Sequence, residues 1–437
     1  MLDTVINDYL RVSPDGVARL DRRIYTDAQL FELEMEQVWH RNWVYLAHES
    51  QLPEPGNYVT THIGRHAVIV VRDAEGTLRC FLNACPHRGS KLLCESKGSV
   101  RNIVCPYHAW SFNTRGDLLA ISSEKLGAYP PSLDKSTLGL KAVARLESYR
   151  GFIFGSLDAE VCSLKEHLAD AATFIDLLVD QSVAGWEVLR GRSVYTYEGN
   201  WKLQADNAVD GYHAPTVHRN FVATLENRTR ALGGQASSMS VRHDPASMHG
   251  GYFDFGRGHV AIWRDWDNPE DRFNYPELPA LRERMGDVRA KWAIGRLRNL
   301  LIYPNLVIAD QMSTQVRTWR PLAVDRTEVS GWAFAPVGEE REQRRRRLRF
   351  YEDFFNPSGM ATPDDLEIFN RSQQAFAGNV PRDSEISRGA KHQVQGPNSF
   401  ANELGIKPVS SGGWIHDEGI YVGMYRAWTE HLMRGKT

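Results

Sequence analysis

The sequence of 437 residues has only five cysteines, no long apolar run and almost no net charge. Five cysteines are too few for a disulfide-stapled scaffold. The stretch LRNLLIYPNLVIADQM is broken by Pro304 and by polar side chains, so we expect no membrane span. Lysine and arginine (52) nearly balance aspartate and glutamate (54), which leaves no overall field for nucleic acid or an anionic membrane. The opening MLDTVINDYL lacks a basic, apolar targeting pattern, and we expect a cytoplasmic protein.

Length and patterning predict several domains. Residues 1–41 end in a helical pattern, DAQLFELEMEQVW, and are expected to pack on the catalytic domain. Residues 42–158 read as short strands such as HAVIVVRD, followed by the turn DAEG and a returning strand. Residues 159–437 mix amphipathic helices with alternating strands such as STQVRTWRPL. We therefore predict an α+β protein, with an all-β domain inserted near the N-terminus of a catalytic domain of antiparallel sheet and helices.

A run of arginines, Arg344–Arg347, raises the possibility of a nucleic-acid surface. Glutamates at positions 339, 340 and 342 precede it, and the rest of the chain offers no basic groove. We interpret the run as the solvated face of a charged helix, and we predict no nucleic-acid partner.

Two short motifs in the all-β region each combine one cysteine with one histidine: Cys85-Pro86-His87 and Cys105-Pro106-Tyr107-His108. The prolines restrict the backbone and favour two stiff loops. Zinc bound by two cysteines and two histidines is one interpretation. However, each half mixes a thiolate with an imidazole, which suits a two-iron cluster whose irons take unlike ligand pairs. We expect the other cysteines, at positions 80, 94 and 162, to be structural.

A second group of chemistry-bearing residues lies in NWKLQADNAVDGYHAPTVH, at Asp206, Asn207, Asp210, His213 and His218. On a regular helix the five-residue spacing separates the two histidines by about 140°, which is poor for a shared ion. Proline at position 215 should distort the helix and can bring both rings to one point.

A carboxylate would complete a two-histidine iron site of the kind that leaves one face open for O₂ and substrate. The best candidates are Asp364 and Asp365 in FNPSGMATPDDLEIF. These acids also fit the first turn of a helix that Pro363 begins. The spacing of the residues does not decide between the two roles.

The motifs CPHRG and CPYHAW resemble the Rieske 2Fe–2S motif of aromatic-ring-hydroxylating oxygenases, with Ala109 where that family usually has glycine. The stretch from Asn207 to His218 resembles the mononuclear iron motif of the same family, in which Asp206 replaces a more usual glutamate. The resemblance implies two cofactors. The cluster ligands would be Cys85, His87, Cys105 and His108, and the Fe(II) ligands His213, His218 and Asp365, with Asp364 as the fallback.

The segments YLAHESQLPEPGNYVT and LIYPNLVIADQMSTQVRTWRP resemble large subunits of the benzoate, toluate and anthranilate 1,2-dioxygenase branch. This resemblance implies cis-dihydroxylation of a carboxylated aromatic ring by O₂, with electrons from NADH through a separate reductase, with or without a ferredoxin. Asp210 would link a cluster histidine of one subunit to an iron histidine of its neighbour. The assembly would be an α₃β₃ hexamer with a small β subunit, or an α₃ trimer.

Three residues are candidates to meet the substrate: Asn207, which adjoins the iron motif, and Arg264 and Arg317, which offer a cation for a carboxylate. One alternative function is a Rieske monooxygenase acting on a related acid such as salicylate. Another, from a different class, is an electron carrier or a zinc module, although either would need only the all-β region.

Overall fold

The computed structural model describes residues 9–127, 129–231, 249–266, 268–378 and 380–434. These residues form two compact units. One spans Trp39–Leu164, and the other combines the chain up to Val38 with the chain from Lys165 onward. The predicted α+β fold, in which an all-β unit interrupts a unit of antiparallel sheet and helices, is confirmed.

The N-terminal part of the second unit begins with two short antiparallel strands and one capped helix. The Asp27 side chain accepts hydrogen bonds from the first amides of this helix, and the helical pattern continues as a π-helix over Met35–Trp39. These elements are Leu10–Val12 (β1), Ala18–Asp21 (β2) and Ala28–Glu34 (α1). Strand β2 pairs with Asp383–Glu385, far along the chain.

The Trp39–Leu164 unit consists of three small antiparallel sheets around a core that includes Cys85, Cys105 and Phe112. The predicted turn after HAVIVVR is present, because Asp73 Oδ1 accepts hydrogen bonds from the amides of Glu75 and Thr77. The strands are Val44–His48 (β3), Asn57–Ile63 (β4), His66–Arg72 (β5), Leu78–Leu82 (β6), Lys97–Ser99 (β7), Asn102–Val104 (β8), Ser111–Asn113 (β9), Leu118–Ala120 (β10), Arg145–Tyr149 (β11) and Phe152–Ser156 (β12).

A ten-stranded antiparallel sheet dominates the second unit. Its strands are Trp186–Val188 (β13), Ser193–Tyr197 (β14), Gly250–Asp254 (β15), Val260–Asp265 (β16), Arg296–Ile302 (β17), Leu306–Asp310 (β18), Thr314–Ala323 (β19), Arg326–Pro336 (β20), Val394–Gln395 (β22) and Ser410–Gly412 (β23); the strand Asp383–Glu385 (β21) belongs to the small N-terminal sheet. Strands β16 to β20 are neighbours in the order of the chain. Strands β16 and β17 are buried along nearly their whole length on both faces, although β17 carries the polar residues Arg296, Arg298 and Asn299.

Helices connect and flank the strands of this unit along the chain. The helical segment that follows the all-β unit is interrupted by a 3₁₀ turn at Ala169–Ala171. The helices are Leu164–Leu168 (α2), Ala172–Val179 (α3), Trp201–Ala208 (α4), Ala214–Val217 (α5), Arg219–Ala231 (α6), Leu278–Ile294 (α7), Arg341–Phe354 (α8), Thr362–Ala377 (α9), Ser399–Leu404 (α10) and Gly419–Met433 (α11). Among the described residues, none of the helices has both the length and the apolar character that crossing a bilayer requires.

The arginine run lies on α8, and its interpretation as a wholly solvated face is wrong for one residue. Arg345 is exposed and pairs with Glu342, as expected. Arg347, in contrast, is only 1% exposed and pairs with Glu339, and its guanidinium stacks over the ring of Phe273. The helical period turns this position toward the sheet, where a neighbouring carboxylate neutralises its charge.

Candidate active site and metal centres

The two Cys-Pro motifs fold into loops of the same backbone form. The Cys85 amide donates to Ser90 O, and the Gly89 amide donates back to Cys85 O, both at 2.8 Å. In the second loop the Cys105 amide donates to Trp110 O at 2.8 Å, and the Ala109 amide donates to Cys105 O at 3.0 Å. Each loop is therefore closed twice and holds its cysteine and histidine in fixed positions.

The four side chains of the loops are sorted by exposure. Cys85 and Cys105 are 3% and 2% exposed and are free thiols, whereas His87 is exposed. The imidazole rings of His87 and His108 lie with their centroids 4.7 Å apart. One thiol and one imidazole per loop, with both thiols buried, His87 exposed and His108 half-buried, is the donor set that a 2Fe–2S cluster with unlike ligand pairs requires.

Ala109 occupies a backbone conformation that glycine adopts more easily. Its φ is +55°, and Gly89, at the matching position of the first loop, has φ +71°. The left-handed region is unfavourable for a residue with a Cβ atom. The alanine that departs from the family pattern therefore retains the loop geometry at some energetic cost.

The histidine pair of the second motif lies where helical structure is interrupted. Helix α4 begins at Trp201, where the Asn200 side chain caps the Lys202 amide, and it ends at Ala208. His213 and His218 flank the short helix α5, which carries Pro215 in its first turn. Pro215 begins this turn rather than breaking it, since the amides of Val217 and His218 donate to His213 O and Ala214 O, and the two rings lie with their centroids 5.0 Å apart.

His213, His218 and Asp365 converge on one point. The two Nε2 atoms are 3.2 Å apart, and Asp365 Oδ1 lies 3.5 Å from Nε2 of His213 and 3.4 Å from Nε2 of His218. Among the described residues, these three are the one group of side chains whose donor atoms could hold a metal ion together. Two imidazole nitrogens facing each other beside a carboxylate oxygen fit a divalent cation, and the donor set suits Fe(II).

The other acids and the amide of the motif surround this triad. Asn207 Nδ2 donates to Asp365 Oδ1 at 3.1 Å and lies 3.4 Å from His213 Nε2. Asp364, the fallback ligand, instead lies beside His218 Nδ1, on the side of the ring away from the triad, at 3.8 Å. Asp365 comes from the first turn of α9, so the helix-start position and the triad position coincide.

Asp210 contacts the outer face of the triad. Its Oδ2 lies 3.1 Å from His213 Nδ1, and its Oδ1 accepts a hydrogen bond of 2.6 Å from the Tyr212 amide. Burial alone would lower the pKa of His213, but the contact with Asp210 and the charge of Asp365 outweigh burial and raise it. Burial lowers the pKa of His218. The two rings therefore have unlike environments.

The triad opens into a cavity whose walls are largely apolar. Ile262 and Arg264 on β16 face it, and their register partners Asn299 and Leu297 on β17 face it as well. Further wall residues come from helices, strands and loops around the triad, and they include Asn207, Asp210, Phe221, Val222, Gln311, Met312, Arg317, Phe354, Phe355, Thr362, Ile415 and His416. The sequence pointed to the arginines but not to the apolar wall. Because both faces of β16 and β17 are buried, the alternation of hydrophobicity that would identify the cavity side is absent.

Asp206 lies outside this cavity, in a buried polar cluster. The hydroxyls of Tyr25 and Tyr425 donate to its carboxylate at 3.0 and 2.8 Å. Burial raises the pKa of Asp206 to about 7, although the two tyrosines and Lys202 lower it. Asp206 thus connects α4 to Tyr25 and Tyr425 through hydrogen bonds and does not line the triad.

Comparison with known proteins places these two sites in one family. Residues 42–130 match the Rieske [2Fe-2S] domain, and residues 185–432 match the catalytic domain of the ring hydroxylating alpha subunit. Toluate 1,2-dioxygenase subunit alpha of Pseudomonas putida is 44% identical over 96% of this chain and 92% of that protein. The anthranilate 1,2-dioxygenase large subunit of Acinetobacter baylyi is 43% identical, covering 96% and 91%. Naphthalene 1,2-dioxygenase from Rhodococcus sp. bound to indole superposes with a TM-score of 0.84 at 26% identity, covering 100% and 98%.

An oxidoreductase with a Rieske domain and a mononuclear iron domain is the class that the fold and both sites define. The chain belongs to the family of ring-hydroxylating dioxygenase alpha subunits. Its cofactors are a 2Fe–2S cluster and one mononuclear iron. As a terminal oxygenase component it uses O₂ and takes its electrons from a separate reductase.

Proposed function

We propose that this protein cis-dihydroxylates a carboxylated aromatic ring of the benzoate type, using O₂ and electrons that originate from NADH. The observation that carries the proposal is the convergence of His213, His218 and Asp365 in the wall of a mostly apolar cavity. The relatives named for toluate and anthranilate support the substrate class. A cytoplasmic location, where NADH is formed, fits this electron supply.

In this proposal His213, His218 and Asp365 hold the mononuclear iron, and Cys85, His87, Cys105 and His108 hold the cluster. The bound Fe(II) would supply activation of O₂, with electrons drawn from the cluster. The chain's own residues do the remaining work. The apolar wall excludes water and accommodates the flat ring, and Asn207 holds the Asp365 carboxylate by a hydrogen bond so that one oxygen faces the histidines.

Asp210 is proposed to carry the electron path between subunits. The Asp210 carboxylate contacts His213 Nδ1 through Oδ2, on the side of the ring that faces away from the triad. Its Oδ1 accepts a hydrogen bond from the Tyr212 amide, which fixes the orientation of the carboxylate. In the assembly that we propose, at least three α chains form a ring, with or without small β subunits, and the cluster histidine of a neighbouring chain meets this carboxylate. A chain that is fully active as a diluted monomer would contradict this arrangement.

The number of oxygen atoms inserted tests the reaction. The protein, a family reductase and NADH are supplied with benzoate, toluates, anthranilate, salicylate and halobenzoates under ¹⁸O₂, and each product is analysed by mass spectrometry. We expect two labelled atoms in a cis-diol, or in the catechol that forms from such a diol by loss of a substituent. Products with a single labelled atom across the panel would instead favour a monooxygenase of the salicylate-hydroxylating kind.

His218→Ala tests the iron assignment. We expect this variant to lose the mononuclear iron and all turnover while it keeps the visible absorption of the cluster, because the two ligand sets share no residue. His392→Ala, which changes an exposed histidine of the same unit, is the matched control and should keep both centres. Retention of iron and turnover by His218→Ala would refute the assignment.

A further inference from the structure

One buried cation in the iron cavity has no anionic partner. Arg317 lines the cavity and is 8% exposed, and among the described residues no carboxylate forms an ion pair with it. Its Nε is buried without a hydrogen-bond partner. We propose that the guanidinium of Arg317 binds the carboxylate of the aromatic substrate, an assignment that rests on the proposed function and makes this residue the determinant of acid specificity.

Three other buried arginines of the same unit are each paired with a carboxylate. Arg272 and Arg298 both pair with Asp310, and Arg347 pairs with Glu339. Taking a charge out of water is unfavourable unless it is paired, so each of these guanidiniums has a carboxylate beside it. Arg317 departs from this pattern at the place where the sheet faces the cavity.

Arg317 lies opposite a glycine in the sheet. Arg317 on β19 is the register partner of Gly331 on β20, which has no side chain of its own. Gly331 is paired on its other edge with Ser193 of β14, and two residues further along β14 the hydroxyl of Tyr195 hydrogen-bonds Arg317. A neutral phenol beside the guanidinium orients it without neutralising it, so the positive charge remains available to a ligand.

A monoanionic carboxylate has the shape and charge that a guanidinium fork binds through two hydrogen bonds. The rest of the wall is apolar and accommodates the ring, including Phe221, Leu297 and Phe354. An acid anchored in this way is held at one end, which leaves its ring to meet the triad in the same cavity. Arg264, the other arginine of the wall, is more exposed and is not the residue that we assign.

The test compares one acid with neutral rings of similar size. For Arg317→Met we expect the KM for benzoate to rise about 100-fold, because a buried charged pair is lost. The KM values for toluene and benzamide should change far less, because neither molecule carries a carboxylate. Arg317→Lys should restore part of the preference for the acid. Arg320→Gln is the matched control, because Arg320 lies on the same strand, points to the opposite face and pairs with Glu328.

A stability measurement separates a binding role from a structural one. Benzoate should raise the thermal midpoint of the wild-type protein and leave that of Arg317→Met unchanged, while the variant without ligand is at least as stable as the wild type. If Arg317→Met unfolds more readily and keeps the acid preference, the role is structural and the proposal is wrong. If the wild type converts no aromatic acid under ¹⁸O₂, the proposed function itself fails. An unchanged KM in an otherwise active variant overturns only the assignment of Arg317.

Discussion

Asp210 Oδ2 lies 3.1 Å from His213 Nδ1, on the side of the imidazole opposite the nitrogen that faces His218 and Asp365. The carboxylate thus contacts the triad without belonging to it. If a neighbouring chain supplies the electron, two defective chains should complement each other.

The complementation experiment mixes His87→Ala chains, which lack a competent cluster, with His218→Ala chains, which lack the iron. Each should be inactive alone. Random co-assembly should restore about a quarter of the wild-type turnover per chain, because each intact iron must neighbour an intact cluster in the ring. Adding Asp210→Ala to the His87→Ala chain should abolish the recovery. Mixed rings without any activity would show that electrons do not cross between chains.

The left-handed backbone of Ala109 predicts a stabilising substitution. Ala109→Gly should remove the steric penalty at φ +55° and raise stability by about 1 kcal/mol, which is about 3 °C in the thermal bleaching of the cluster. Gly89→Ala, at φ +71° with open space around the position, should lower the bleaching temperature by a similar amount. Equal temperatures for both variants and the wild type would mean that neither loop is strained.

The buried pair of Glu34 and Lys202 predicts strong coupling. The Lys202 ammonium lies 2.6 Å from Glu34 Oε1, and both side chains are within 1% of full burial. Glu34→Gln leaves a buried charge unpaired and should lower the free energy of unfolding by about 3–5 kcal/mol. The double variant Glu34→Gln/Lys202→Met should recover much of that loss. Urea titrations followed by tryptophan fluorescence measure the free energy of unfolding of each variant. If the losses of the two single variants simply added in the double variant, the coupling would be contradicted.

Asp206 predicts a pH-dependent stability with a definite sign. The pKa of Asp206 in the folded protein, about 7, lies above the ordinary value of 3.8. Asp206 therefore makes its full contribution to the free energy of unfolding below pH 3.8, and this contribution is lost as the pH rises through 7. Asp206→Asn removes this loss. Between pH 5 and 8 the unfolding free energy of the variant should therefore fall less than that of the wild type, by about 2 kcal/mol.

The control for this pH effect is Asp325→Asn, which changes an exposed carboxylate and should reproduce the wild-type pH dependence. Urea unfolding at the two pH values provides the measurement. If Asp206→Asn follows the wild-type curve, the carboxyl group titrates normally in the fold.

Some features could be predicted from the sequence because they depend only on residues close together in the chain. The prolines next to Cys85 and Cys105 restrict the backbone whatever surrounds them, and the two loops do adopt the same closed form. Likewise Pro215 lies in the first turn of the short helix between His213 and His218, whose rings lie close together despite the five-residue spacing. In both motifs the residue types and the local backbone already carry the chemistry.

Other features depend on partners far away in the chain. Nothing near Asp365 distinguishes it from Asp364, since both suit the first turn of a helix, and only the packing of α9 beside His213 and His218 separates their positions. The sequence favoured a solvated position for Arg347, and it offered Arg317 only as one of two candidate cations for the substrate. The register of β19 and β20 and the presence or absence of a nearby carboxylate give them different environments.

The sequence by itself predicted the class of fold and most of the candidate metal ligands, because loop stiffness and strand alternation act over a few residues. The tertiary structure decided which carboxylate completes the triad, which strand faces line the cavity and which arginine keeps an unneutralised charge there. These outcomes follow from the burial of both sheet faces and from contacts between residues more than a hundred positions apart, and no local pattern records them.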